Sequence, residues 1–366
     1  MILNPALPGC CGCVKASSCA RRRELNLSLP CWYSAMIQAI TLAAIAVAQN
    51  PVFTEVTTTR QNAHVDPALS VWGWEVPVYL FIGGIVAGLM FLHSVVILLR
   101  REEKYPTAAH ILPLLATPML GLGLLFLFLD LEYKAHVFSF YTSFQLYSPM
   151  SWGSWILLVI FGVGGLQFFY ALATLNTFRK TALGKWGIWN KVEKLPELTR
   201  RKLAWTGLVL AIALGIYTGL LLASLTARPL WNSALVGPMF LVSGLSTGTA
   251  LTILLARSKA EHAVLERFDL VLIFGELTII LMWLGALAHG SDVSEHAVAN
   301  LLGGSYSAAF WSLVVVLGLV VPAILETQSL RGRWPTTVIA PALVLVGGLA
   351  LRLILVQAGQ THGYGV

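Results

Sequence analysis

Glu75 and Tyr79 stand about one helical turn apart at the start of a long apolar run, within the segment WGWEVPVY at 72–79. Ionisable groups are costly inside a membrane, so a carboxylate and a phenol at the mouth of an apolar helix are usually functional. The carboxylate can accept a proton, and the phenol can donate a hydrogen bond. These two residues are therefore the first candidates for a chemical site.

Several polar residues near the same predicted membrane face match the needs of a quinol headgroup. Such a headgroup needs a hydrogen-bonding group at each ring oxygen and, on oxidation, a nearby base that takes its protons. Tyr79 and Tyr217 are candidates for binding the ring oxygens, and Glu75 or Asp130 for the base. The alternative for each residue is an interfacial anchor or a helix cap, because tyrosine and tryptophan favour membrane boundaries.

Five further polar residues extend this set. His136 and Arg228 lie on the predicted outer side and are candidates for binding the headgroup. Glu276 lies about 12 Å from the inner end of its predicted helix, and Ser246 and Arg352 lie in two other apolar runs. These three are candidates for a proton relay, whereas the alternative for Arg352 is an ion pair with a carboxylate such as Glu276.

The elements that must position these residues are membrane helices. Of the 366 residues, 57% are hydrophobic and only 11% are charged, a composition that excludes a water-soluble globule. A membrane-spanning helix needs about 20 apolar residues. Runs of that kind occur at 72–99, 111–130, 152–178, 203–225, 234–256, 268–289, 308–325 and 335–357. The sequence therefore predicts an all-α integral membrane protein with eight spans.

The distribution of basic residues predicts the orientation of these spans. The loops at 100–110, 179–202, 257–267 and 326–334 contain 16 of the 24 lysines and arginines. Because cytoplasmic loops carry an excess of Lys and Arg, these four loops are predicted to be cytoplasmic. The start of the first span and the C-terminal tail then lie outside. The basic residues form no aromatic-studded patch, so the net charge of +7 does not indicate nucleic-acid binding.

The region before residue 72 differs from the rest of the chain. It holds all five cysteines, whose spacing lacks the repeated C-x-x-C of iron–sulfur sites. Three arginines at 21–23, an apolar run at 31–48 and a small-residue ending have the form of a signal peptide or signal anchor. We expect an N-terminal extension at 1–71, a membrane domain at 72–360 and a short tail at 361–366.

A haem within the membrane domain is not expected. A bis-histidine haem needs two histidines at matching depth, but His93 and His289 fall at opposite predicted faces. With neither haem nor iron–sulfur cluster in the chain, a redox role requires a partner that carries metal centres at the outer face.

Small residues recur at four-residue spacing in the predicted helices, as in the pairs at 84 and 88, 215 and 219, and 244 and 248. This spacing lets two helix backbones approach closely in a membrane. We interpret these glycines as helix-packing positions rather than ligand positions.

Five separated motifs follow one another along the apolar part of the chain. They are WEVPVYLFIGGIVAG at 74–88, SPMSWGS at 148–154, GIYTGLL at 215–221, ARPLWNS at 227–233 and SGLSTG at 243–248. In this order they resemble the NrfD/PsrC family of polysulfide reductase membrane subunits. The residue pair Leu351-Arg352 and the AGQ at 358–360 are similar to the last helix of that family, so the resemblance runs from 72 to 360.

This resemblance implies eight helices in two four-helix bundles in a bacterial inner membrane. It also implies that menaquinone or ubiquinone reacts near the outer face, with Glu75 and Tyr79 at the first-helix positions and Tyr217 as the deeper tyrosine. The implied partners are a ferredoxin-like subunit with four iron–sulfur clusters and a molybdopterin or multihaem catalytic subunit. Two alternatives stay open on the sequence: a proton-conducting or transport protein, suggested by Glu276, and a purely structural anchor.

Overall fold

The computed structural model of the protein describes residues 72–131, 133–142, 145, 147–175, 180, 189, 192, 196–256, 258–333 and 338–361. The extension at 1–71, with its candidate signal anchor at 31–48 and all five cysteines, lies outside the described residues. So does the tail beyond Thr361.

Eight of the described helices are long and apolar enough to cross a membrane, which confirms the predicted fold class. We number them in chain order. They are α1 (Glu75–Leu98), α2 (Thr107–Asp130), α3 (Pro149–Thr174), α4 (Glu197–Ala223), α5 (Val236–Leu255), α6 (Lys259–Ala288), α7 (Ser307–Leu330) and α8 (Ile339–Thr361). Helices suit this environment because each one satisfies its own backbone hydrogen bonds where water is absent.

The helices alternate in direction, which defines two ends of the molecule. The Glu75 end is where α1, α3, α5 and α7 begin, and it also carries the short helices Ser139–Thr142 and Asp292–Leu302. The opposite end, which we name the Glu102 end after a residue of the α1–α2 loop, is where the even-numbered helices begin.

The eight helices form two four-helix bundles, as predicted. In the first bundle α1 packs on α2 and α4, and α3 packs on α2 and α4 from the other side. In the second bundle α5 packs on α6 and α8, and α7 packs on both of those. Helix α1 also contacts α5 and α8, and α4 contacts α5. Helix α1 therefore belongs to the first bundle and forms much of the junction with the second.

The paired glycines mark close backbone contacts, in agreement with their predicted packing role. A Cβ atom on Gly88 would lie 2.8 Å from the Cα of Gly248, and one on Gly244 would lie 3.0 Å from the Cα of Gly84. Real Cβ atoms essentially never come closer than about 3 Å to such atoms. Helices α1 and α5 touch at these positions because neither side carries a side chain.

Two helix boundaries differ from the sequence prediction in a way that matters for the chemistry. Helix α6 begins at Lys259 instead of 268, and α7 continues to Leu330 instead of 325. The apolar run marks the part of a helix that is long and apolar enough to cross the hydrocarbon layer. The helix itself continues beyond that run, through charged residues that face the bundle. Glu266 and Glu326, predicted to lie in loops, are therefore buried within helices.

The depth predicted for Glu276 was also wrong. Because α6 begins at Lys259, Glu276 lies about 25 Å from that end at 1.5 Å per residue. It is close to the middle of the helix.

Candidate functional site

A cavity of about 430 Å³ opens within the first bundle at the Glu75 end. Helices α1 to α4 all contribute to its wall, together with the segment that joins α2 to α3. Ten of the lining residues are apolar, including Trp72 and Met150. The other five are polar: Tyr79, Asp130, Tyr141, Ser154 and Tyr217. The cavity thus combines an apolar wall with three phenols, a hydroxyl and a carboxylate.

Tyr79 and Tyr217 supply the two deepest phenols. Tyr79 lies in the second turn of α1 with 2% of its surface exposed, and Tyr217 lies in α4 with 7% exposed. The two rings are within electrostatic range of each other and of Tyr141. Among the described residues neither Tyr79 nor Tyr217 has a hydrogen-bond partner. Both hydroxyl groups are thus able to donate a hydrogen bond to an oxygen of a ligand in the cavity.

Gly153 explains how the phenol of Tyr217 reaches this position. The hydroxyl and adjacent ring carbons of Tyr217 lie where a Cβ on Gly153 would stand. Gly153 belongs to the motif SPMSWGS, and no other residue type leaves that space free. The motif in α3 therefore makes room for the tyrosine in α4.

Replacing Gly153 by Ala is expected to destabilise the folded protein by about 1–3 kcal/mol, because an added methyl group in a filled site forces a shift of its neighbours. Thermal unfolding of the purified protein in detergent measures the change. The same substitution in a Tyr217→Leu background should cost much less, because the shorter side chain vacates the contact. Equal costs in the two backgrounds would show that the two residues do not touch.

Two carboxylates lie at the mouth of the cavity. Asp130 is the last residue of α2, is partly exposed and lines the cavity. Glu75 is the first residue of α1, is partly exposed and lies within electrostatic range of Asp130, although it does not line the cavity. Asp130 is therefore placed to exchange a proton between the cavity and water, with Glu75 beside it.

The other two predicted headgroup residues do not line this cavity. The Nη1 of Arg228 donates to the backbone oxygen of Gln360 at 2.8 Å. His136 is exposed and contacts the ring of Tyr133 edge-on, at 6.5 Å between ring centroids. The ligand-binding role of both residues remains a prediction, and for Arg228 the geometry gives a contact that holds the end of α8.

The end of α8 is fastened to the start of α1 by a set of contacts that the sequence did not suggest. The Gln360 side chain accepts from the Trp72 backbone N–H at 2.8 Å and donates to the Trp72 backbone oxygen at 3.1 Å. The Trp72 ring stacks on Trp231 at 5.3 Å, and Trp231 donates to the Leu355 backbone oxygen at 2.8 Å. Because Trp72 also lines the cavity, these contacts fix one part of its wall.

Arg352 lies at the junction of the two bundles with 0% of its surface exposed. Its Nε donates to the Leu80 backbone oxygen at 3.3 Å, and its Nη1 donates to Gly348 O at 2.8 Å and to Ser243 Oγ at 3.1 Å. The buried Glu276 lies near Ser243 and within electrostatic range of Arg352. The buried guanidinium of Arg352 thus binds the backbone of the residue that follows Tyr79 in α1, and a buried carboxylate lies near it.

Sequence reasoning missed two strongly buried acids of the second bundle. Asp269 and Glu326 are 0% and 2% exposed, and Ser246 Oγ donates to Asp269 Oδ1 at 2.7 Å. Ser246 was the only member of this cluster that the sequence pointed to. A signal was present, because Asp269 and Glu276 are seven residues apart and share one face of a helix. Glu326 gave no such signal, because residues 326–334 were assigned to a loop.

Comparison with known proteins gives a consistent set of relatives. The profile of the family described as "Polysulphide reductase, NrfD" matches residues 60–362. The protein is 32% identical over 309 residues to Protein NrfD of Escherichia coli (strain K12), with 79% of its own length and 95% of that relative covered. It is 28% identical over 306 residues to one of the polysulfide reductase chains of Wolinella succinogenes, with 80% and 95% covered. At lower identity, 24% over 314 residues, it is similar to a selenate reductase subunit of Mesobacillus selenatarsenatis, with 78% and 73% covered.

Proposed function

The protein belongs to the NrfD family of polysulphide reductase proteins, and from this premise we propose that it is the quinone-reactive membrane subunit of a respiratory reductase complex. The observation that carries the proposal is the cavity of the first bundle. Its volume of about 430 Å³ lies within the usual range of small-molecule sites, roughly 300–1,000 Å³. Its polar groups are few and lie on all four helices, as orientation of a flat ring with two oxygens requires.

The residues of the cavity suit the exchange of protons and electrons with a quinone. Quinol oxidation releases two electrons and two protons, and quinone reduction consumes the same number. Tyr79 and Tyr217 hold the ring oxygens by donating hydrogen bonds, and Asp130 exchanges the protons with water, assisted by Glu75. The isoprenoid tail of menaquinone or ubiquinone lies along the apolar wall. Glu276, Arg352 and Ser246 form the proposed proton relay in the neighbouring bundle.

The proposed partners accept or supply the electrons. Two relatives are named as parts of a polysulfide reductase and of a selenate reductase, which supports a role as the membrane subunit of a larger complex. We assign the direct electron partner to a ferredoxin-like subunit with four iron–sulfur clusters. That partner in turn exchanges electrons with a molybdopterin or multihaem catalytic subunit. The site of its contact is the Glu75 end, because the cavity opens there.

The orientation proposed for the protein follows from its charges. The segments 100–110, 179–202, 257–267 and 326–334, at the Glu102 end, hold 16 of the 24 lysines and arginines, so this end faces the cytoplasm. The Glu75 end and the C-terminus then face the periplasm of a bacterial inner membrane. Proton exchange at Asp130 takes place on the periplasmic side.

Replacing Asp130 by Asn tests the function. Loss of a positioned base typically costs 10²–10⁴-fold, so quinol turnover of the complex is expected to fall about a hundredfold. Quinone binding, followed by quenching of tryptophan fluorescence, should change little, because the amide keeps the size of the side chain. Asp292→Asn, an exposed acid at the same end but outside the cavity, is the matched control. Wild-type turnover in Asp130→Asn would remove Asp130 from the mechanism.

A further inference from the structure

The second bundle contains an unusual density of buried acids. Glu266, Asp269, Glu276 and Glu326 are 5%, 0%, 4% and 2% exposed. Among the described residues none of the four has a lysine, arginine or histidine nitrogen within 4.0 Å of its carboxyl oxygens. Ionisable side chains at such depth in a membrane are expensive and usually mark a pathway for ions or protons. The packing of the bundle does not explain why these four positions are acidic.

Asp269 on α6 and Glu326 on α7 form a pair. Both side chains are buried, and their carboxyl groups are close enough to interact directly. An ionised carboxylate can only accept, so a hydrogen bond between two carboxyl groups requires that one of them keeps its proton. Ser246 donates to one of the four oxygens, and the other three have no donor among the described groups. The pair therefore has the geometry of a site that holds one proton between two acids.

A second feature connects this pair to the Glu102 end. Glu266, Glu326 and Ser329 line a cavity of about 10 Å³, close to the volume that one water molecule needs. The Ser329 hydroxyl lies 3.1 Å from both oxygens of Glu266. Glu266 itself lies about 10 Å from the start of α6 at 1.5 Å per residue. The carboxyl group of Glu326, which has no hydrogen-bond donor among the described residues, thus lines a space the size of one water molecule. Glu266, which is nearer to the Glu102 end, lines the same space.

On the other side, the pair leads toward the junction of the bundles. Ser246 and Ser243 are three residues apart on α5, which places them on one face about 4.5 Å apart along the axis. Ser243 contacts both Glu276 and Arg352. The Nε of Arg352 then reaches the backbone oxygen of Leu80, next to Tyr79. Polar groups therefore follow one another from the Glu102 end to the helix that carries the cavity.

We propose that Glu266, the Asp269–Glu326 pair, Ser246, Glu276 and Arg352 form a proton pathway from the Glu102 end to the quinone cavity. The pathway rests on the proposed function and extends it, because it supplies protons from the side opposite to Asp130. When a quinone bound in the cavity is reduced, it receives two electrons from the iron–sulfur partner at the Glu75 end. Some of the two protons consumed then enter through the second bundle, so charge is separated across the membrane.

The first test concerns the pair itself and needs only the full-length protein in detergent. Infrared spectroscopy detects the carbonyl stretch of a protonated carboxylic acid, which shifts when the proton is exchanged for deuterium. The proton shared by the pair is expected to give one such component in the wild type, and this component should shift or disappear in both Asp269→Asn and Glu326→Gln. Glu261→Gln is the matched control, because Glu261 is equally buried on α6 but accepts from the Ala108 backbone N–H at 3.2 Å, outside the pathway. A spectrum that is unchanged from the wild type in both variants would overturn the shared proton.

The second test measures the direction of proton uptake. The complex is placed in vesicles with the Glu102 end facing an enclosed pH dye, and reduced viologen outside supplies electrons for quinone reduction. The enclosed pH should rise in the wild type and in Glu261→Gln, and this rise should be lost in Asp269→Asn and Glu326→Gln. Quinone reduction with no change in enclosed pH would overturn the pathway. Absence of quinone reduction in the wild type would instead count against the proposed function, and the infrared result would still decide whether the pair holds a proton.

Discussion

Tyr79→Phe is expected to lower quinol turnover of the complex about a hundredfold, the usual cost of removing one hydrogen-bond donor aimed at a reacting oxygen. Phenylalanine keeps the ring that fills the space in α1, so the change removes only the hydroxyl group. In the structure that hydroxyl belongs to a buried residue, lines the cavity and has no partner among the described residues. Its loss should therefore act on the bound headgroup and not on the fold.

Turnover with a soluble quinol analogue, measured on the assembled complex, gives the size of this effect. Tyr105→Phe is the matched control, because Tyr105 is also buried, with 9% exposed, but does not line the cavity. The unfolding temperature of both variants should equal that of the wild type. If Tyr79→Phe keeps wild-type turnover in an intact complex, the headgroup does not bind at the phenol of α1.

Gly88→Leu is expected to have the largest effect on folding. Gly88 lies against Gly248 where α1 meets α5, and even a Cβ atom would stand 2.7 Å from the Gly244 backbone oxygen. A leucine cannot fit between two backbones, so the helices must separate along the junction of the bundles. We expect a loss above about 3 kcal/mol, beyond the usual range for overpacked sites.

Size-exclusion chromatography of a fluorescent fusion measures the fraction of monodisperse protein, which should fall to a small part of the wild-type value. Gly165→Leu provides the comparison, because a Cβ atom at Gly165 in α3 would meet nothing within 4 Å. Wild-type behaviour of both variants would mean that α1 and α5 do not touch at this point.

The sequence contained nearly all the information needed for the architecture. Eight apolar runs of sufficient length predict eight spans, because the thickness of the hydrocarbon layer sets the length of a helix that crosses it. The ends of α6 and α7 were less predictable. A helix does not stop where its apolar run stops, and charged residues beyond that point remain buried if they face a neighbouring helix, as Glu266 does.

The sequence predicted those residues of the candidate site whose type and position in the sequence are themselves unusual. Tyr79 and Asp130 are polar groups at the ends of apolar runs, and the structure brings both to one cavity with Tyr217. The contribution of Tyr141 and Gly153 was not predictable, since it depends on how α3 and the segment before it pack against α4. Arg228 likewise donates to a backbone oxygen of a residue 132 positions further along the chain. Contacts of this kind leave no pattern in the local sequence.

The pairing of Gln360 with Trp72 has a consequence for how the domain is made. Helix α1 is synthesised before α8, so the start of α1 cannot make these contacts until synthesis of the membrane domain is nearly complete. A chain that terminates before α8 has no Gln360 to bind Trp72, so the part of the cavity wall that Trp72 forms is not held in place. The cavity wall is therefore complete only when the last of the eight described helices has been made.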